Sequence, residues 1–130
     1  VKSGKIWGET ERIFGRENVE VHRIAVAMGG YCSKHRHDHK WNLFFVEQGE
    51  LEIEIWRPKS GLRDTTVLRQ GESLAVAPGQ FHRFTATQET VAYEIYWVDL
   101  DPADIKRESF GGVNKSREES LGASKERSKE

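Results

Sequence analysis

No stretch ahead of Asn114 carries an apolar repeat of helical period long enough to make a helix. Short runs rich in β-branched residues and closed by glycine take its place. Asn18–Met28 (NVEVHRIAVAM) runs into Gly29-Gly30. Trp41–Val46 reads as a strand buried on both sides, and Glu50–Trp56 alternates strictly, with Leu51, Ile53 and Ile55 on one face and Glu50, Glu52 and Glu54 on the other. After a turn over Arg57–Asp64, extended structure resumes at Thr65–Leu68, Ser73–Ala77, Phe81–Ala86 and Val91–Val98. About eight such runs with turn signals between them predict an all-β sandwich or barrel.

A chain of 130 residues forms one domain with a single core. The expected domain spans residues 1–112. Residues 113–130 are predicted to be a charged, disordered tail, because Leu121 and Ala123 offer little to offset the entropy of ordering them. The net charge of -1, with both signs interspersed, gives no electrostatic footprint for nucleic acid or an anionic membrane. One cysteine, Cys32, excludes an internal disulfide. No signal peptide or transmembrane run is legible, so a cytoplasmic compartment is the expectation.

Three of the five histidines, His35, His37 and His39, recur at every second position just ahead of the Trp41 run. On an extended chain they share a face. A four-residue loop over Asp38–Trp41 would make a hairpin with His37 opposite Asn42, their Cβ atoms about 5 Å apart. His35 then joins them from two residues back, and His39 stays in the turn. His82, just after Pro78-Gly79, can reach the same point across a barrel, whereas His22 has no such partner and reads as an ordinary surface or half-buried histidine. Neutral imidazoles suit a divalent transition metal such as zinc, iron, nickel, manganese or copper. The alternative is a hydrogen-bonded polar interior that binds no metal.

These residues resemble the two motifs of the cupins. The first reads Gly29, His35, His37, Asn42 where that family has a glutamate, and Gly49; the second reads Gly71, Ala77-Pro78-Gly79, His82, and Ala86 where the family has an asparagine. The resemblance covers about residues 4–112 and implies a double-stranded β-helix, the jelly-roll barrel of cupins, with a metal on His35, His37, Asn42 and His82. Within the superfamily the chain is similar to the cupin domain of type II mannose-6-phosphate isomerases, in KIWGE, VHRIAVAMGG, PGQFHRF and YEIYWVDLDPADIKRESFGG. It departs from that domain at Lys40, where the family has arginine, at Asn42, and at His35, which stands at its glutamine ligand position.

Histidines with an asparagine are all neutral, so a bound dication keeps its full charge and favours an anionic oxygen ligand. Asn42 cannot serve as a base. Glu94 matches a glutamate of the isomerase-like domain and is the expected catalytic residue, with Tyr96 and Lys34 expected to contact a phosphate or hydroxyl group. The expected function is therefore a metal-binding cupin that binds, and isomerises or epimerises, a small oxygen-rich anion such as a sugar phosphate. A non-catalytic sugar- or acid-binding cupin and a non-heme iron oxygenase are the alternatives. Exposed edge strands make a homodimer the expected assembly.

Overall fold

The computed structural model describes residues 2–114. The chain divides into two units, Val1–Asp99 and Leu100–Glu130. Among the described residues the first unit carries every strand: β1 (Lys2–Lys5), β2 (Gly8–Arg16), β3 (Val19–Val26), β4 (Trp41–Gln48), β5 (Glu50–Trp56), β6 (Arg63–Arg69), β7 (Ser73–Val76), β8 (Phe81–Ala86) and β9 (Thr90–Trp97). The described part of the second unit, residues 100–114, holds turns and bends without a strand or helix. Most of the predicted tail, residues 115–130, lies outside the described residues. No helix among the described residues is long and apolar enough to cross a membrane.

All strand pairings are antiparallel, in a six-stranded sheet ordered β1-β2-β3-β9-β4-β7 and a three-stranded sheet ordered β6-β5-β8. The inner faces form one core. Ile24, Val26, Phe44, Val46, Val76 and Ala92 come from the larger sheet, and Leu51, Ile53, Leu68, Phe84 and Ala86 from the smaller. Each large side chain in that layer contributes about 1.5–3 kcal/mol of burial. Gly49 turns the chain from β4 in one sheet to β5 in the other with φ 95°. A Cβ there would lie 2.3 Å from the Glu89 carbonyl oxygen, so only glycine fits this corner.

Three expectations are corrected here. β4 is fully buried on one face only: Asn42, Phe44 and Val46 point inward, whereas Trp41 and Leu43 are half-buried and Phe45 is exposed. Glu54 keeps its outward direction but is 3% exposed, roofed by Arg63 at 2.7 Å and Arg83 at 2.9 Å. β1 and β2 add strands that no apolar alternation announced, since β1 is exposed throughout and β2 buries only Gly15 fully.

Candidate metal centre

The approach of the first histidines differs from the expected hairpin. Tyr31–His39 runs along the edge of β8, with bridges at Tyr31–Thr85 and His35–His82, and crosses to the larger sheet only at Trp41. His37 therefore does not pair with Asn42. Its carbonyl instead accepts the Gly79 N–H at 2.7 Å, and Asn42 lies between Val76 and Tyr96 in the larger sheet. The residues converge across the sandwich interior and not across a turn. His39 is exposed in the bend before Trp41.

His35, His37 and His82 bring one ligand nitrogen each to within 4.8 Å of one another. Donors sharing one ion lie at most about 4.2 Å apart for bonds near 2.1 Å, so small inward movements suffice. Local hydrogen bonds aim two of the rings. His35 Nδ1 lies 2.7 Å from the Ser33 carbonyl and His82 Nδ1 lies 3.0 Å from the Gln80 carbonyl. A carbonyl only accepts, so each Nδ1 carries the proton and each Nε2 presents its lone pair.

Buried polar atoms without a partner among the described residues are His37 Nε2, His82 Nε2, Asn42 Nδ2 and Asn42 Oδ1. His82 and Asn42 are each 1% exposed. Unsatisfied groups this deep cost about 1–3 kcal/mol each, and the three that can offer a lone pair, His37 Nε2, His82 Nε2 and Asn42 Oδ1, call for a partner. A divalent cation supplies one for both imidazole lone pairs and for the amide oxygen, so the donor set fits a metal.

Burial pushes the His37 imidazolium down to about 4, helped by the neighbouring His35, Lys40 and His82 charges. Burial also lowers His82, against a raising effect of its bond to the Gln80 carbonyl. Both rings are neutral near pH 7, so little proton release opposes ligation.

Beside the histidines opens a cavity of about 1040 Å³, lined among others by Trp7, His22, His35, Lys40, Glu94 and Tyr96. Glu94 is 9% exposed and accepts a hydrogen bond from the Tyr96 hydroxyl. Burial raises the Glu94 carboxyl, and the Tyr96 bond works in the opposite direction. Tyr96 is itself raised by burial and by the adjacent Glu94 charge. The Tyr96 ring meets the His37 ring edge-on at 5.3 Å.

Lys34 does not join this group. Its ammonium sits 4.1 Å over the Trp56 ring and 5.7 Å from Phe81, away from the cavity lining. Lys40 is the lysine on the wall, 4.3 Å over the Tyr96 ring. His22 also belongs to the wall: it pairs with Glu94 in register, meets Tyr96 edge-on at 5.6 Å and contacts Glu20 at 3.2 Å. Its parity with Ile24 and Val26, both inward, was the available signal.

The cupin-domain family matches residues 22–99, a span that holds all four candidate ligands. The chain belongs to the cupin family. Among solved structures this cupin is similar to KdgF from Halomonas sp., at 14% identity and TM-score 0.66, over 78% of this chain and 88% of that one. It is also similar to an RmlC-like cupin from Shewanella frigidimarina, at 18% identity and TM-score 0.61, over 75% of this chain and 84% of that one. An oxalate oxidase shares 26% identity with the cupin at TM-score 0.54, over 61% of this chain but only 40% of its own length. No curated protein matches the sequence. The jelly-roll expectation is thus met in the all-β antiparallel sandwich and in these neighbours.

Proposed function

We propose that this cupin holds a divalent transition metal on His35, His37 and His82 with Asn42 beside it. The centre serves to bind a small oxygen-rich anion, such as a sugar phosphate or hydroxy acid, for isomerisation or epimerisation. The observation that carries this reading is the set of buried, partnerless atoms on His37, His82 and Asn42. A metal there would supply Lewis-acid polarisation of a carbonyl or hydroxyl oxygen. Because every protein donor is neutral, the ion's charge is left for the ligand to balance, which selects anions.

Glu94 takes the role of proton carrier. It lines the cavity, is buried, and is held by the Tyr96 hydroxyl, so its carboxylate has a fixed direction. Tyr96 then contacts a ligand hydroxyl while keeping Glu94 in position. Support for the ligand class comes from the oxalate oxidase at 26% identity that was solved in complex with glycolate, a small hydroxy acid. The segments similar to type II mannose-6-phosphate isomerases support the sugar-phosphate variant. β1 (Lys2–Lys5), the outer strand of the larger sheet, supports homodimerisation through an open edge.

Metal analysis of protein purified without chelator tests the reading, with near one equivalent of transition metal expected. Less than about a tenth of an equivalent overturns the metal centre. Metal-loaded protein is then incubated with mannose 6-phosphate and fructose 6-phosphate. Interconversion that Glu94→Gln abolishes supports the assigned proton carrier. A second reading, a binding module without turnover, is favoured by one observation: Asn42 stands where the family carries a carboxylate. Ligand binding without interconversion, unchanged in Glu94→Gln, decides for that module.

A further inference from the structure

Lys40 stands half-buried on the cavity wall with its ammonium 4.3 Å over the face of Tyr96. Among the described residues no carboxylate pairs with it. Neither carboxylate on the same wall forms an ion pair with it: Glu20 meets His22 at 3.2 Å, and Glu94, which feels the Lys40 charge, accepts the Tyr96 hydroxyl. A partly desolvated ammonium whose contact is an aromatic face gains more from an anion arriving beside it than a fully hydrated one does.

The contacts form a chain from the histidine centre to the wall. The ring of His37, a candidate ligand, touches Tyr96 at 5.3 Å, and Tyr96 in turn carries Lys40 on its face. We infer that Lys40 is a second anchor point in the cavity, taking a terminal phosphate or carboxylate of a ligand whose other end carries the oxygens directed at the histidine centre. This rests on the proposed metal centre and narrows its ligand class from small anions in general to molecules with two oxygen-rich ends. The carbon chain between those ends lies along the Tyr96 side chain. Lysine suits the task as a compact charge with three donors, which accepts either a phosphate or a carboxylate.

The test uses the full chain loaded with Co(II) and three probes: glycolate, which has one oxygen-rich end, and 2-phosphoglycolate and tartronate, which have two. Calorimetric titration is expected to give at least one two-ended probe binding about tenfold or more tighter than glycolate in the wild-type protein, as a close charge pair in a partly buried site implies. The tighter of the two identifies the terminal group as phosphate or carboxylate. Lys40→Gln and Lys40→Met should collapse that preference, while Lys40→Arg retains most of it. A preference that survives both neutral variants overturns the assignment, because the metal alone would then account for it. Wild-type protein that binds glycolate with no preference overturns the second anchor and leaves the metal centre standing. Protein that takes up Co(II) but binds none of the three probes overturns the ligand class as well.

Discussion

His35 and His82 hold each other by a reciprocal pair of backbone hydrogen bonds, His35 N–H to the His82 carbonyl at 3.1 Å and His82 N–H to the His35 carbonyl at 2.8 Å. Their rings stand 4.6 Å apart on the same side of that bridge. The distance between two candidate ligands is thus set by main chain and not by side-chain freedom, which lowers the entropy lost when both grip an ion.

Replacing either ring therefore removes a donor without undoing the bridge. His35→Ala and His82→Ala should each weaken zinc or cobalt binding by more than about 100-fold, the upper range for loss of an outer-shell partner. Competition against a chromophoric chelator measures this, with far-ultraviolet circular dichroism confirming the fold. Retained affinity in both variants would remove these histidines from the centre.

Asn42 separates stability from ligation. Both atoms of its amide are buried without a partner, so Asn42→Leu should raise the stability of metal-free protein by about 1–3 kcal/mol. Asn42→Glu should do the reverse, lowering the melting temperature of metal-free protein and tightening metal binding through the added charge. Weaker metal binding in Asn42→Glu shows that the side chain does not meet the ion.

Cys32 is 7% exposed, and burial raises its thiol from 9.0 to about 11. At pH 8 roughly one thiol in a thousand is ionised, so iodoacetamide should label the folded protein far more slowly than the denatured chain. Between pH 9 and 11 the unfolded chain releases this proton and the folded chain keeps it, so stability falls as pH rises through that window. Subtracting the melting curve of Cys32→Ala isolates the effect; an identical pH dependence in both proteins would refute it.

Glu54→Ala leaves Arg63 and Arg83 without their shared carboxylate and opens a buried site between them. A loss of about 2 kcal/mol is expected, moderated because Arg63 is 55% and Arg83 34% exposed. Urea denaturation checks it, and a change below about 0.5 kcal/mol would make the pair a surface ornament.

Strands were legible in the sequence wherever one face is buried. Leu51 and Ile53 are fully enclosed, and their period of two is what the Glu50–Trp56 alternation displays. β1 and β2 bury so little that they leave no such trace. At the site, motif spacing pointed to the three histidines that the fold brings together, but not to the path between them. A tight hairpin and a crossing between sheets need similar numbers of residues, and only pairing partners tell them apart. Lys34 and Lys40 were indistinguishable by composition. Lys40 directly precedes β4, whose Asn42 and Phe44 point inward, whereas Lys34 lies on the segment that runs along β8 and rests on Trp56.

The crossing at Trp41 has a mechanical consequence. His82 belongs to the three-stranded sheet and Asn42 to the six-stranded one, so an ion gripped by both is a rivet driven through the two layers. Its removal would loosen the sandwich between β8 and β4.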